Sequence, residues 1–572
     1  MVLLYGDNLN AADISTNYPG ATITKTQTEP DGKHAFVWLN FDSAIKPGPI
    51  VLHLKNSSGD TTAKLLLSTR PPQEGKYQGV TRDDVIYLIM PDRFADGDPS
   101  NDQPPQAAPG TYDRKSPKAY HGGDLKGVQQ HLPYLKDLGV TTLWLTPLYQ
   151  NDDATSDYHG YGAVDEYEVE DHFGTMQDVQ NLVAAAHELG MKVLFDMVPN
   201  HVGPHHPWAN SQPTPGWLHG TPAHHLDNAN YDFPPISDPH AVTANYIEAL
   251  DGWFVNTLPD LAQENPLVAT YLLQNAEWWT ESSGIDGIRI DTFPYVPRSF
   301  WSYYDQGLVA RYPNFFMVGE VNDTDATVTS YWAGGQTGFD GIDTHLTTPF
   351  DFPMFQAIGD VVARGESAKK IVTVLRQDRF YPHPELLVTL IDNHDRPRFI
   401  TQANGSREKL KLGLSLLLTL RGIPQLYAGD EVGIAGGEDP DNRRDFPGGF
   451  PGDSNDAFTR AGRTPEQQDV FAHTQTLLKL RHDHPALRTG TQKHVAVADK
   501  YYAFTRETAG ERLLIVFHNA DAPEALNLDL TGTSIGDAKS LTSIFGPSTA
   551  QLQDGHLNLK LAPYSLTVYQ VK

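Results

Sequence analysis

Cysteine is absent from this chain of 572 residues. That excludes disulfides and thiolate-bound zinc. It does not choose between cytoplasmic and periplasmic locations, since disulfide-free proteins occupy both. Long apolar runs are also missing. No stretch approaches the ~18 apolar residues that a membrane helix needs, so no membrane partner is expected. Positive charge is scarce: 43 Lys and Arg face 71 Asp and Glu, a formal net charge of −28. Nucleic acid and anionic lipid surfaces bind clustered cations, so no nucleic acid is expected either. A neutral polar ligand such as a sugar suits this chain better. The start, Met1-Val-Leu-Leu-Tyr-Gly-Asp-Asn-Leu9, has neither a basic opening nor a long apolar core, so it is not a signal peptide. It reads as a strand entered directly, as though a leader had been trimmed.

What is present is an ordinary globular composition, 39% apolar, with length for several domains. Residues 1–75 are rich in Thr, Ser, Asn and Gly. They carry short alternating runs, at 35–39 and 50–54, which predict an N-terminal β-sandwich closed by a linker at 70–75. From 85 the pattern becomes strand, helix, strand. Strands are predicted at 85–90, 141–146, 192–198, 286–291, 315–320, 341–346, 386–392 and 423–428, and helices at 125–138, 176–189, 266–282 and 407–420. Eight such repeats favour an α/β fold of the (β/α)8 TIM barrel type over a doubly wound sheet, here spanning 76–490. In the helix at 266–282, Asn265 can cap, Pro266 suits the first turn and Gly284 ends it. Val268, Leu272, Ala276 and Trp279 recur at helical spacing, which makes Trp278 and Trp279 packing residues. Residues 201–245, rich in Pro, His and Asn, read as a loop-rich insertion after the third strand. Beyond 490, alternation at 501–505, 512–518 and 565–571 predicts a C-terminal antiparallel β domain covering 491–572.

Three carboxylates end apolar runs: Asp291, Glu320 and Asp395. In a parallel barrel the C-terminal strand ends converge on one face, so acids far apart in sequence would meet there. Glycoside cleavage needs such a group, one acid to attack and one to protonate the leaving oxygen. Arg289, two residues before Asp291, shares its strand face and can hold it ionised.

With these motifs assembled, the chain resembles the α-amylase family of glycoside hydrolases over about residues 80–490. The resemblance rests on Asp196-Met-Val-Pro-Asn-His201, Gly287-Ile-Arg-Ile-Asp291, Val318-Gly-Glu320 and Asp392-Asn-His-Asp395. His159-Gly-Tyr161, Phe173-Gly-Thr175 and the run Gly422 to Asp430 add to it. It implies that Asp291 is the nucleophile, Glu320 the acid and then the base, and Asp395 the carboxylate that grips the distorting sugar. His201 and His394 would bind sugar hydroxyls and Tyr161 would stack on the ring, with His159 beside it. Asp196 would support the site through Arg289. Like-charge repulsion from Asp291 and Asp395 should raise the Glu320 pKa.

The N-terminal domain and the segment 436–449 look most like the cyclomaltodextrinase, neopullulanase and maltogenic amylase group. This implies hydrolysis of α-1,4 links in cyclodextrins and maltooligosaccharides, and of pullulan or starch. A transglycosylase or trehalose-forming isomerase would use the same carboxylates, and a non-catalytic binding protein could keep the fold. In that group a homodimer often shapes the pocket; the short N-terminal segment here leaves that open.

Asp96-Gly-Asp98-Pro-Ser-Asn101-Asp102 offers oxygen ligands dense enough for Ca2+. It resembles a calcium loop of cyclodextrin-acting members, to which Gly122 and Asp124 would add; otherwise it is a solvated turn. No organic cofactor is implied. The family's other calcium position, beside the insertion, keeps Asn200, but Thr292-Phe-Pro-Tyr295 stands where many relatives have Lys and then His. Histidines 205, 206, 219, 224 and 225 lack zinc-ligand spacing and read as an insertion rim. Gly162, where many relatives carry Trp, implies a more open pocket. Arg443, Arg444 and Asp445 either pair among themselves or reach sugar.

Overall fold

The computed structural model describes every residue except 71, 73, 152–156 and 229–231. Parts of the linker at 70–75 and of the insertion at 201–245 therefore lie outside the described residues.

Eight parallel strands form the barrel. They are β1 (Ile86–Ile89), β2 (Thr142–Leu145), β3 (Lys192–Met197), β4 (Gly287–Ile290), β5 (Phe316–Gly319), β6 (Thr348–Pro349), β7 (Val388–Thr389) and β8 (Ile423–Tyr427). Their order in the sheet is β6-β5-β4-β3-β2-β1-β8-β7. A parallel bridge between Phe350 and Val388 brings the two outer strands together, and the Asp351 N–H donates to the Val388 carbonyl at 2.8 Å. Seven of the eight strands are buried throughout, and β3 at all but Lys192. That is why they read as continuous apolar runs instead of alternating ones.

The sixth strand differs from expectation. Residues 341–346 are not a strand, and β6 begins at Thr348. Local hydrogen bonds explain the shift. Asp343 accepts from the Gly335 and His345 N–H groups, the Thr344 hydroxyl donates to the Trp332 carbonyl, and His345 has φ +62°. Side-chain bonds of this kind compete with a ladder, and a left-handed residue ends extension. β7 is likewise shorter than 386–392, because Pro384–Leu386 forms a 3-10 turn. The helix expected at 125–138 is two helices, Leu125–Gln130 and Leu132–Leu138. Pro133 has no N–H to continue the first.

The helix Pro266–Ser283 is built as its sequence dictates. The Asn265 side chain accepts from the Leu267 N–H, and Gly284 closes the helix at φ +82°. Val268, Leu272, Ala276 and Trp279 face the core, and Trp279 Nε1 donates to the Glu166 carbonyl at 2.8 Å. Trp278 packs edge-on against Tyr167, with centroids 5.1 Å apart.

Two three-stranded antiparallel sheets form the N-terminal sandwich around Ile14, Ala35, Val37, Ile50, Leu52 and Leu54. A five-stranded and a three-stranded antiparallel sheet form the C-terminal region, where Tyr501–Glu507, Arg512–His518 and Ser565–Val571 are strands. Its seam with the barrel holds two buried arginines. Arg506 donates to the Thr419 carbonyl at 2.9 Å, and Arg481 to those of Leu418 and Gly422 at 3.3 and 3.0 Å. Both meet the carbonyl-rich end of the helix Arg407–Thr419, where positive charge is favoured.

Trp279→Ala is expected to lower stability by ~3–5 kcal/mol, through the cavity it opens and the loss of one of the two hydrogen bonds to the Glu166 carbonyl, the other coming from Asn275 Nδ2. Urea unfolding at unchanged m-value checks this, and a loss under ~1 kcal/mol would remove Trp279 from the core.

Candidate active site

The in-phase register of β3, β4 and β5 sets the site. Asp196 lies level with Arg289, and Arg289 with Val318. The acids sit one step past the strand ends, still on the ladder: the Asp291 N–H donates to Met197 O at 2.9 Å and the Glu320 N–H to Ile290 O at 3.0 Å. Their backbones are therefore as fixed as the sheet.

Arg289 is the hub. Its Nη1 donates to Asp196 Oδ1 at 2.8 Å and to Asp291 Oδ1 at 2.6 Å, and its Nη2 to Glu320 Oε2 at 2.6 Å. The Thr292 N–H donates to the same Oε2 at 3.3 Å. Thr292 reaches that position with φ +46°, an uncommon conformation for a β-branched residue. The Tyr161 hydroxyl donates to Asp196 Oδ2 at 2.9 Å and lies 2.8 Å from His394 Nε2, the two rings stacked with centroids 5.6 Å apart. The Tyr161 N–H donates to His159 Nδ1 at 3.0 Å. His201 Nδ1 lies 3.0 Å from Asn200 Oδ1, and its Nε2 is 3.2 Å from the Tyr161 carbonyl. All nine residues expected at the site thus lie together. Asp291 is 7% and Glu320 8% exposed, so the acids are nearly buried yet reach the surface.

Environment separates the acids. Burial is the largest influence on Glu320. Opposed by Arg289 and aided by Asp291 and Asp395, it pushes the carboxyl up to about 8. Repulsion, the cause expected from sequence, is the lesser one. Burial would also raise Asp395, but His394, Arg443 and Arg289 overcome it and hold the group down at about 2. Burial keeps His394 and His159 neutral, each near 3. With His394 neutral, the lasting charges that hold Asp395 ionised at neutral pH are those of Arg443, Arg289 and Arg396, and Arg443 Nη2 lies 3.0 Å from Asp395 Oδ1. Asp196 is lifted by burial to about 7 despite its bonds to Arg289 and Tyr161.

Arg443 is one of the contributors that sequence reasoning missed or left undecided. Its Nε donates to the His394 carbonyl at 2.8 Å and its Nη1 to the Tyr158 hydroxyl at 3.2 Å, while Asn442 Nδ2 donates to the same carbonyl at 2.6 Å. The neighbouring residues go elsewhere: Arg444 pairs with Asp441, and Asp445 with Arg114 and His121. Trp144, on β2, donates from Nε1 to Asp196 Oδ2 at 3.1 Å. Its place near the end of a buried strand was the only available signal. An added Cβ at Gly162 would meet Asp157 Oδ1 at 3.0 Å and Asn151 Oδ1 at 3.5 Å, so a larger residue there would need these side chains to shift.

The loop expected to bind calcium is gathered only in part. Asp96 Oδ1, Asn101 Oδ1 and Asp102 Oδ1 are buried without hydrogen-bond partners, and Gly122 closes on Asp102 Oδ1. Burial, with Asp96 and Asp124 nearby, lifts Asp102 to about 7. Asp98 instead binds the Ser100 hydroxyl at 2.6 Å and Lys126 at 3.1 Å. Asp124 accepts the Gly127, Gly97 and Asp98 N–H groups as a helix cap. Among the described residues, no three His, Asp or Glu side chains are placed to hold a metal. Nor does Asn200 keep a free oxygen: its Oδ1 faces His201, and its Nδ2 donates to Asp260 Oδ1 at 2.7 Å and Tyr295 O at 3.2 Å. No described helix is long and apolar enough to cross a membrane.

A barrel with clustered acids at its strand ends holds the groups that a glycoside hydrolase needs. The family described as Alpha amylase, catalytic domain, matches residues 88–490, and Cyclomaltodextrinase, N-terminal, matches residues 1–71. The chain belongs to the α-amylase family. It is 32% identical to a cyclomaltodextrinase from a Bacillus species, over 78% of this chain and 74% of that protein. It is 31% identical to the Beta/alpha-amylase of Paenibacillus polymyxa over 85% of this chain, but spans only 37% of that longer protein. Relatives named neopullulanase and maltogenic α-amylase match at 30% identity. The crystal structure of an Anoxybacillus α-amylase superposes with a TM-score of 0.73 at 34% identity, over 86% of this chain and 98% of that one.

Activity that needs a protonated Glu320 persists below its pKa and is lost above it. The kcat/KM for a maltooligosaccharide is therefore expected to fall as pH rises through about 8. Arg443→Met should lower kcat/KM by ~10-fold or more and move the acid limb of the profile upward, since Asp395 loses the permanent charge paired with it at 3.0 Å and keeps only those of Arg289 and Arg396. An unmoved acid limb would show that Arg443 does not set the charge on Asp395.

Proposed function

We propose that this chain is a retaining hydrolase of α-1,4-glucosidic bonds in cyclodextrins and maltooligosaccharides, with pullulan and starch as further substrates. The observation that carries the reading is the sharing of one guanidinium by Asp291 and Glu320. It keeps the two carboxyls beside one another, in keeping with the short separation of about 5–5.5 Å that double displacement uses. Relatives named cyclomaltodextrinase and neopullulanase support the substrate class.

The hydrogen bonds assign work to individual oxygens. Asp291 Oδ1 is held by Arg289, which leaves Oδ2 to attack the anomeric carbon. Glu320 Oε2 is occupied by Arg289 and the Thr292 N–H, so Oε1 carries the proton. In the first half-reaction Oδ2 bonds to C1, the bond from C1 to the leaving oxygen breaks, and Glu320 protonates that oxygen. In the second, Glu320 takes a proton from water, the water oxygen bonds to C1, and the ester to Asp291 breaks. Asp395, ionised throughout, binds hydroxyls of the distorting ring. Tyr161, His159, His201 and His394 line the same sugar, and Asp196 braces Arg289.

A structural Ca2+ would sit against Asp96, Asn101, Asp102 and the Gly122 backbone, its charge relieving their unpaired oxygens. Asp98 and Asp124, spent on other partners, are not in this set. We divide the chain at 1–75, 76–490 and 491–572, in keeping with separate apolar clusters in the terminal segments.

Asp291→Asn is expected to cut turnover by ~10⁴-fold or more with the melting temperature unchanged. Products from maltotriose should be smaller sugars released with retained α configuration. Longer oligomers or trehalose as the main product would replace hydrolysis with transfer or isomerisation. Ca2+ should raise the Tm of metal-stripped protein, and Asp102→Ala should abolish that rise. An equal rise in both proteins would move the ion elsewhere.

A further inference from the structure

Asp395 is held differently from the other two acids. Asp291 and Glu320 stay on the sheet ladder, but Asp395 lies six residues past Thr389, where β7 ends. The ladder therefore does not fix its backbone. Two bonds belong to its own turn: its N–H donates to Asn393 Oδ1 at 3.0 Å, and the Arg396 N–H donates to the Asn393 carbonyl at 3.3 Å. Ties to the rest of the fold come from the loop after β8, through Asn442 and Arg443. Asn442 Nδ2 donates to the His394 carbonyl at 2.6 Å and to the Arg396 carbonyl at 3.1 Å, so one amide bridges the residues on either side of the acid. A primary amide suits this task, because one nitrogen gives two protons and brings no charge. Turned over, the amide would set its oxygen against two carbonyl oxygens, so the bonds also fix which way the group points.

Asn442 is itself anchored. It is fully buried, and its carbonyl accepts Arg398 Nε at 2.9 Å and the Tyr427 hydroxyl at 3.4 Å. The Arg398 guanidinium lies 3.4 Å from the centre of the Tyr427 ring, and Tyr427 is the last residue of β8. The Arg398 N–H donates to the Gly436 carbonyl at 3.0 Å, which ties the two loops a second time. Rigidity thus passes from β8 through Tyr427, Arg398 and Asn442 to the main chain around Asp395. Arg443, the next residue, meets the side chain of the same acid at 3.0 Å. We propose that Asn442 is a positioning residue, which aims Asp395 by clamping the carbonyls on both sides of it. The proposal rests on the sugar-cleaving reading above for the role of Asp395, and adds to it what holds that carboxylate in place.

The test uses Asn442→Leu, which keeps the bulk and removes the donors, with Asn442→Ala beside it in case the larger side chain hinders folding. Both are made in the full chain, alone and together with Asp395→Asn. Each should lower kcat on maltotriose by ~10–100-fold with little change in KM. The acid limb of the pH profile should stay in place, since Arg443, Arg289 and Arg396 remain, and this separates Asn442 from Arg443. With Asp395→Asn present, read on an activated glycosyl fluoride, the further loss should shrink below ~3-fold, because the group being aimed is already gone. Amide exchange should speed at Asp395 and Arg396 and not at Asp291 or Glu320. Full activity in both single variants, an equal loss with Asp395→Asn present, a displaced acid limb, or exchange that speeds at all four amides would each overturn the assignment. If the unaltered protein turns over no α-glucan, the functional reading fails, while exchange at Asp395 and Arg396 still decides whether Asn442 holds this turn.

Discussion

One buried guanidinium governs the site. Both terminal nitrogens of Arg289 are bound by three carboxyl groups from three neighbouring strand ends, and its charge in turn offsets the cost of holding those groups so near the core. The contacts are possible because the β3, β4 and β5 registers are in phase. A slip of one residue in any of the three would turn its acid away from the mouth. Fold and chemistry are thus the same constraint stated at two scales.

Around this hub, burial and permanent charge are used separately. Glu320 is desolvated and kept protonated, which suits a proton donor. Asp395 lies in the same mouth, but Arg443 reaches it from the loop after β8 and helps to hold it ionised. One oxygen of Asp291 is pinned by Arg289. Three carboxyl groups within one mouth are given three different jobs by their neighbours alone.

Much of this was legible in the sequence, for reasons that can be named. Barrel strands buried on both faces announce themselves as unbroken apolar runs, and the acids that end them stand out. Asn265, Pro266 and Gly284 spell out the limits of one helix through local chemistry. The failures share a cause as well. The segment 341–346 looked like a strand because nothing in its composition tells that Asp343 and Thr344 would turn back onto their own backbone. Pro133 was in plain view, but the apolar run across it suggested continuity. In the site, Asp291, Glu320 and Asp395 could be placed by motif, whereas Arg443 could not. Its partner lies 48 residues earlier, and only the folded loop decides whether Arg443, Arg444 or Asp445 points inward. The cause of the Glu320 shift was misjudged for a similar reason. Charges can be counted from sequence, but the water that burial removes cannot.

The barrel wall is uneven. β6 and β7 have two residues each and meet through a single bridge, whereas β3 and β4 share four consecutive pairs. Glu320, at the end of β5, stands on one side of that thin seam and Asp395, after β7, on the other, while Arg289, Asp291 and Asp196 follow on β4 and β3, on the Glu320 side. Heat or denaturant that parts the seam would separate Glu320 from Asp395 while the contacts of Arg289 stay whole. Under the proposed function, such a local rupture would end catalysis ahead of, and separately from, collapse of the molecule.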